Sequence, residues 1–313
     1  MDLISIGEQL IDFLPGDEPG SYIRVAGGAP ANLAIAAARN GLKTGFIGKV
    51  GEDDFGYFLQ QTLKDNKVSV LTPERTELAV TTMAFVTLAD NGERSFTFAR
   101  KPGADMFLTK EEIPLAELDQ ATIVHAGSCS LSKGSTADAT KYAIQYAKAQ
   151  GKITSFDVNY RDPLWDSERE AAKASVQELL PYLDWIKVSD EEVDFLGSAE
   201  EITELVAKDT GPSLVVITLG AHGAKAIFKG GEITVDAVKA NAIDTTGAGD
   251  AFWGAFLANL FYADVRSAAD LTSSVIREAL RYGTVSGALC VQAKGALASL
   301  PTRAEILAEL EEK

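Results

Sequence analysis

Histidine and cysteine are nearly missing from this 313-residue chain, with two of each. So few ligands, and no C-x-x-C pair, leave little from which to build a zinc site. His125 and His222 are read as structural, which leaves a Ser-His-Asp hydrolase few candidates. Cys129 and Cys290 lie among apolar or small residues, which fits reduced, buried thiols in a cytosolic protein better than a disulfide framework. Basic residues are scarce as well: 29 Lys and Arg stand against 45 Asp and Glu, a formal charge of −16. A nucleic-acid surface needs a basic footprint, so that class is set aside; a small anionic nucleotide needs only a local positive field. No apolar run approaches the roughly 18 residues of a membrane helix. The segment Met1 to Gly7 carries no basic stretch and reads as a first strand, not a signal peptide. The expectation is a cytoplasmic protein that meets neither membrane nor nucleic acid. Two phosphate-binding fingerprints are also missing. G-x-x-x-x-G-K-[ST] occurs nowhere, and Gly247 and Gly249 are followed by Phe252 where G-x-G-x-x-G needs a third glycine.

What is there is an alternation of strand and helix signals. Strands are expected at 3–7, 44–50, 122–126, 153–158, 185–188, 214–218 and 232–238. Helices are expected at 29–40, 53–66, 135–150 and 251–260. Short apolar strands alternating with helices imply an α/β fold, a mainly parallel sheet covered by helices on both faces. Ligands then gather at the carboxyl ends of the strands, near Gly7, Glu8, Asp157, Ser189 and Gly220. One stretch breaks the alternation. Residues 81–88 and 93–100 flank Asp90-Asn91-Gly92, and Asn-Gly is a strong hairpin signal. With 12–25 it predicts a small antiparallel β-lid, formed by about 12–25 and 80–101, within a single domain spanning 1–313. Phe85, Phe96 and Phe98 give the hairpin apolar surface, so a homodimer through the lid is a further expectation.

Ile243-Asp244-Thr245-Thr246-Gly247-Ala248-Gly249-Asp250 is the densest chemical segment. It places two glycines and an aspartate where a loop becomes a buried helix. Helix N-termini present unpaired N–H groups and a partial positive charge, and glycine lets an anion approach them. Asp250 beside such an anion hole is a general base suited to phosphoryl transfer to a hydroxyl. The plain alternative is an acidic residue that complements the helix dipole.

Gly27-Gly28-Ala29-Pro30-Ala31-Asn32 is a second helix start; Asn32 offers the donor and acceptor that sugar hydroxyls require. Asp12 can accept from two vicinal hydroxyls, or be a loop carboxylate. Asp157, Asn159 and Arg161 leave a strand on one side, and Arg161 can bridge substrate and phosphate or form a salt bridge. Glu192 can orient hydrated Mg²⁺, or with Asp190 and Glu191 acidify a helix start. Thr218-Leu219-Gly220-Ala221-His222-Gly223 can seat nucleotide phosphates or serve as a tight connection.

Together these segments resemble the ribokinase-like sugar kinases, the phosphofructokinase-B family, along nearly the whole chain. Gly27 to Asn32 is similar to that family's N-terminal signature, and Asp244 to Asp250 to its C-terminal one. Gly48-Lys49-Val50-Gly51-Glu52-Asp53 and residues 218–223 agree. Within the family the likeness is greatest to fructokinases. It is carried by Gly7-Glu8-Gln9-Leu10-Ile11-Asp12-Phe13, Ala84-Phe85-Val86-Thr87-Leu88, Gly92-Glu93-Arg94-Ser95-Phe96, Pro102-Gly103-Ala104-Asp105-Met106 and Lys187-Val188-Ser189-Asp190-Glu191-Glu192. Many members carry Asn at the position of Ser189. Ketodeoxygluconate kinases share Asp157-x-Asn159-Tyr160-Arg161, so that motif leaves the acceptor open.

The resemblance implies Mg²⁺- and ATP-dependent phosphorylation of fructose to fructose 6-phosphate, with Asp250 as base and Gly247, Ala248 and Gly249 as anion hole. It assigns the sugar to Asp12, Gly28, Asn32, Arg100 and Arg161, and the ATP side to Ser189, Thr218, Gly220 and Gly223. Glu192 would support Mg²⁺ through water. An activating K⁺ is implied beside Asp244, Thr246, Ala293, Gly295 and Ser299, where it would fix the anion-hole loop. The rivals are another ribokinase-like sugar kinase and a non-catalytic sugar sensor on the same fold.

Overall fold

Every position of Leu3–Ile6, Thr44–Ile47, Ile123–Gly127 and Ile153–Asp157 is buried, as strands covered on both faces must be. The computed structural model describes residues 1–16, 18, 20–88 and 94–311. In chain order its strands are β1 (Leu3–Ile6), β2 (Leu10–Pro15), β3 (Tyr22–Gly27), β4 (Thr44–Ile47), β5 (Ser69–Val70), β6 (Met83–Leu88) and β7 (Arg94–Ala99). They continue with β8 (Ile123–Gly127), β9 (Ile153–Asp157), β10 (Trp185–Ser189), β11 (Leu214–Thr218), β12 (Ala224–Phe228) and β13 (Gly231–Val235). Nine strands form one sheet in the order β13-β12-β11-β10-β9-β8-β1-β4-β5. From β11 to β5 every pairing is parallel, and β12 and β13 add an antiparallel edge.

Strand alternation divides the core into two layers. On one face Ile4, Ile6, Val124, Phe156, Ile186 and Val215 meet apolar residues of three helices. These include Ala143 and Ile144 of Ser135–Ala149, Val176 of Arg169–Leu179 and Ile202 of Ala199–Ala207. On the other face Leu3, Ile123, Ile153, Trp185 and Leu214 meet helix α1 (Ala29–Arg39) and two helices from the end of the chain. The first of those, Ala248–Tyr262, is buried from Asp250 to Ala258 and is flanked by α1 and by Ser273–Cys290. Small residues allow this approach: a Cβ on Gly254 would lie 2.7 Å from the Ala36 Cβ. Because the central strands are parallel, Gly7, Gly127, Asp157, Ser189 and Thr218 all end at one edge of the sheet.

The α/β class and mainly parallel sheet agree with the pattern in the sequence. Two short strands, β5 and β12, were not expected. A second sheet of four strands, in the order β3-β2-β6-β7, comes from the two segments expected to form the lid. It is mixed where an antiparallel sheet was expected, because β2 runs parallel to β6. The Asp90-Asn91-Gly92 turn lies outside the described residues, but both arms pair as an antiparallel ladder. The register also revises the apolar surface: Phe85 pairs with Thr97 and Phe98 with Ala84, so the two Phe residues lie on opposite faces. Phe85 stacks on Phe13 with ring centroids 4.9 Å apart. The Phe96 side chain lies outside the described residues.

Candidate active site

Helix α1 and the helix Ala248–Tyr262 bring the two signature segments together, although they lie 218 positions apart: Asn32 Nδ2 donates to Asp250 Oδ2 at 2.9 Å. Each side chain leaves a helix whose entry requires glycine. Gly247 precedes the Asp250 helix with φ 82°, and a Cβ there would meet the Ala296 Cβ at 2.7 Å. Gly28 precedes α1 with φ 106°, and a Cβ there would lie 2.5 Å from the Glu8 carbonyl oxygen. Gly249 lies close to a buried cation, since a Cβ on it would come 3.2 Å from Lys187 Nζ. The first turn carrying Gly247, Ala248, Gly249 and Asp250 thus has the backbone freedom and helix-end polarity of an anion site.

Asp250 is 9% exposed. Burial pushes its carboxyl up to about 6, with Asn32 pulling down and Asp157 pushing further up. Asp12, on β2, is raised to about 7 by burial and by the Asp250 charge, against the pull of Arg161. Glu8, just beyond β1, is raised to about 7 by burial and, more weakly, by Asp105. A cluster of carboxyls that burial moves toward neutrality is a candidate site for proton transfer. Lys187, on β10, bonds Asp157 through Nζ at 2.8 and 3.0 Å. Burial works against its charge, yet Asp157, Glu192 and Asp250 hold its pKa above the ordinary lysine range. Sequence reasoning did not single out Lys187, although it lies against Gly249 and Asp157. The available signal was a lysine at position 187 inside an otherwise apolar strand, in register with Asp157 on the neighbouring β9.

The remaining expected residues fall into three groups. Arg161 is exposed and donates to the Tyr160 carbonyl at 3.0 Å, while its field reaches Asp12 and Asp250. Asn159 adopts φ 37°, so Asp157, Asn159 and Arg161 do not continue a strand with one shared side. Arg100 is held in a buried ion pair, Nη2 to Asp105 Oδ2 at 2.7 Å, and it also donates to Ser132 Oγ at 3.0 Å. This guanidinium braces the segment between β7 and β8.

At the carboxyl end of β10, Glu192 Oε2 accepts from the Ser189 N–H at 2.9 Å, and Oε1 accepts from the Tyr160 N–H at 2.7 Å. Ser189 and Glu192 thereby form a capping box that ties the ends of β9 and β10 together. Thr218 Oγ1 donates to the Val188 carbonyl at 3.3 Å. Gly220 (φ 53°) and Gly223 (φ 98°) close the turn into β12, where a Cβ on Gly223 would lie 2.0 Å from the Val235 carbonyl oxygen.

The third group lies behind the anion site. Asp244 Oδ1 accepts from the Thr246 N–H at 2.8 Å, and Oδ2 accepts from the Gly295 N–H at 2.9 Å. Ser299 Oγ donates to the Gly295 carbonyl at 2.9 Å. Ala293 is exposed on the same turn. His125 is buried, and burial and the Lys187 charge push its imidazole down to about 3. It bonds Ser155 Oγ at 3.0 Å, as does Trp253 Nε1 at 2.9 Å, so its neutral ring serves the core. Cys129 and Cys290 are free and buried.

Residues 1–303 match the pfkB family carbohydrate kinases. The chain belongs to this family. Among pfkB relatives, rice (Oryza sativa subsp. japonica) fructokinase-2 is 41% identical over 309 residues, covering 96% of this chain and 91% of that protein. The crystal structure of a Xylella fastidiosa fructokinase with bound ATP superposes with a TM-score of 0.92 at 32% identity, covering 99% of this chain and 98% of that one. A double mutant of the Vibrio cholerae O395 fructokinase, in a fructose, ADP and potassium ion bound form, superposes with a TM-score of 0.86 at 35% identity, covering 98% and 97%. The two segments that resemble the family's signatures are the helix starts that meet at the Asn32–Asp250 bond.

Proposed function

We propose that this pfkB kinase transfers the γ-phosphoryl group of ATP to the 6-hydroxyl of D-fructose. The observation that carries this reading is Asp250 itself: a buried carboxylate at the glycine-led start of a helix, held by Asn32 from the second signature segment. Asp250 takes the hydroxyl proton as the sugar oxygen attacks the γ-phosphorus. The bond from that phosphorus to the bridging oxygen breaks, and ADP leaves. Gly247, Ala248 and Gly249 face the transferring group at the positive helix end. Asp12, Gly28 and Asn32 hold the sugar, with Arg161 at its rim and Arg100 bracing the wall. Ser189, Thr218, Gly220 and Gly223 border the ATP side.

Bound Mg²⁺ would neutralise the phosphate charges. Among the described residues no group of three or more His, Cys, Asp or Glu is placed to hold a metal ion. Mg²⁺ would arrive on the nucleotide, with Glu192 reaching it through water by the second lone pairs of its oxygens. A K⁺ ion fits the loop where Asp244, Thr246, Gly295 and Ser299 converge beside Ala293, and there it would stiffen the anion site. The segments 12–25 and 80–101 act as a lid on a single domain. Asp12 points to the same face of the small sheet as Val25 and Ala84, its register partners. The two buried free thiols suit the reducing cytoplasm. Among the described residues no helix is long and apolar enough to cross a membrane.

An ATP-consumption assay with fructose, ketodeoxygluconate, ribose and adenosine tests the acceptor. Fructose should exceed ribose and adenosine by at least about tenfold in kcat/KM, a difference of about 1.4 kcal/mol in transition-state binding. Turnover of ketodeoxygluconate clearly above fructose would move the assignment to that kinase. Silence with all four, in Mg²⁺ and K⁺, would leave a sugar sensor.

Three further results are expected. Asn32→Ala and Asp12→Ala should each raise the fructose KM by about tenfold or more while the ATP KM moves little, because an unpaired polar group in a closed site is costly. A loss of ATP affinity instead would mean the two subsites are exchanged. The pH profile follows from Asp250. A base must be ionised, and its carboxyl is raised to about 6, so kcat/KM should fall as pH drops through that value. A profile flat down to pH 5 would contradict it. Finally, Ile23 is 55% exposed on the Asp12 face of the small sheet. A homodimer that covers this face should appear by light scattering at micromolar concentration, and a monomer there would reject the dimer.

A further inference from the structure

The opposite edge of the large sheet, where its parallel strands begin, carries a separate cavity of about 220 Å³. A single water needs only about 10–15 Å³, so there is room for a small organic molecule. Lys148 and Lys152 line it from the end of one helix and the start of β9, Asp184 and Trp185 from the start of β10. Arg266 closes it from the turn that follows the helix Ala248–Tyr262. Strand β9 begins here at Ile153 and ends at Asp157 beside the catalytic site. At a rise of ~3.3 Å per residue the two sites stand about 13 Å apart along that strand, so their occupants do not compete for space.

The wall reverses the charge balance of the chain. Three cations, Lys148, Lys152 and Arg266, meet one carboxylate, Asp184, although acidic residues outnumber basic ones 45 to 29 overall. That carboxylate is already engaged on both oxygens. Oδ1 accepts from Lys148 Nζ at 2.5 Å, and Oδ2 accepts from the Thr154 N–H at 2.9 Å and Thr154 Oγ1 at 3.0 Å. Asp184 is thus a strut between two strand starts. Lys152 Nζ donates to the Asp119 carbonyl, which carries no charge to neutralise it. Arg266 donates to the Phe261 and Val265 carbonyls at 3.2 and 3.0 Å and pairs with Asp264, whose side chain is 88% exposed. A pair that exposed is screened by water and readily yields to a better anion. Beneath the cations, Ile153 and Trp185 form an apolar floor.

We propose that this cavity is a binding site for a small phosphate ester, separate from the catalytic site and independent of the sugar-kinase reading. A phosphate monoester brings between one and two negative charges near neutral pH and oxygens that accept charge-assisted hydrogen bonds. Lys152 and Arg266 supply the donors, and Lys148 adds a third cation beside Asp184. The carbon part of the ester covers Trp185 and Ile153. Inorganic phosphate meets the cations but leaves the apolar floor bare and most of the volume unfilled. A neutral polyol fills the volume but leaves the cations unmatched. Both are therefore weaker ligands than the ester.

The test is titration calorimetry on the full chain with glycerol 3-phosphate and ribose 5-phosphate, in excess ADP and fructose so that the catalytic site is filled. Inorganic phosphate and glycerol serve as controls. At least one ester should bind one-to-one, and its affinity should fall as salt is raised, because the cations are partly exposed. Lys152→Glu should weaken that binding by about tenfold or more, and Arg266→Gln by about fivefold. Lys152→Arg keeps the charge and should stay within about twofold of the unaltered protein. Lys152 touches a carbonyl at the rim, so both of its variants should fold, with ATP turnover in the absence of ester changed by less than about twofold. Binding of neither ester, or binding equally tight in Lys152→Glu, would overturn the site. Inorganic phosphate bound as tightly as the esters would reduce it to an adventitious ion only.

Discussion

Asp250→Asn should lower turnover by roughly two to four orders of magnitude while fructose still binds, the range expected when a positioned general base is removed. The substitution keeps the size of the side chain and an oxygen that can accept from Asn32. What disappears is the proton acceptor. The loss must therefore appear in kcat, with a smaller change in the fructose KM. Folding gives an independent control. The Asp250 carboxyl is raised from 3.8 to about 6, chiefly by burial. The folded state then holds its proton more tightly than the unfolded chain. The charged form costs nothing below pH 3.8 and costs on the order of 3 kcal/mol above pH 6. The variant should melt higher than the parent at pH 8, and the two should converge near pH 4. A variant that is stable and inactive places Asp250 in the chemistry. Near-normal turnover would remove it from that role.

How much of this was legible before the structure differs from element to element. Parallel strands were readable because burial on both faces demands continuous apolar runs such as Leu3–Ile6 and Leu214–Thr218. Strand β12 was not, since Ala224–Phe228 is short, begins directly after a glycine turn and carries Lys225. The two glycine-led helix starts were legible one at a time; that they meet is a property of how α1 lies against the helix Ala248–Tyr262. Residues whose roles depend on distant partners were the hardest. Arg100 was expected at the sugar through the family resemblance, yet Asp105, five residues on, holds it in an ion pair. Glu192 reads as a metal-oriented carboxylate, and its oxygens also join two strand ends. Arg161 was expected to share one side with Asp157 and Asn159 beyond the strand, but the positive φ at Asn159 turns the chain. In each case the side chain was visible and the competing partner was not.

Lys187 is the strongest instance, and its replacement should have the second large effect. Lys187→Met removes the ammonium that lies under Gly249 and beside Asp157. Two consequences separate cleanly. The first is structural: Asp157, 4% exposed, keeps a carboxyl that has lost its ion pair. Breaking a buried pair from one side costs about 3–5 kcal/mol, whereas replacing both partners with apolar groups is often neutral. Lys187→Met alone should therefore lower Tm, and Lys187→Met/Asp157→Leu should recover most of the loss. The second consequence is electrostatic. A fixed cation beneath the first helical turn stabilises charge that gathers on the transferring phosphoryl group, and removal of one such preorganised contact costs about a hundredfold or more in kcat. That loss should persist in the stable double variant, because neither leucine nor methionine supplies charge. Recovery of both Tm and turnover in the double variant would show that Lys187 serves only to keep Asp157 solvated. Recovery of Tm alone assigns the ammonium to the reaction, acting with the backbone of Gly247, Ala248 and Gly249 and opposite the base Asp250.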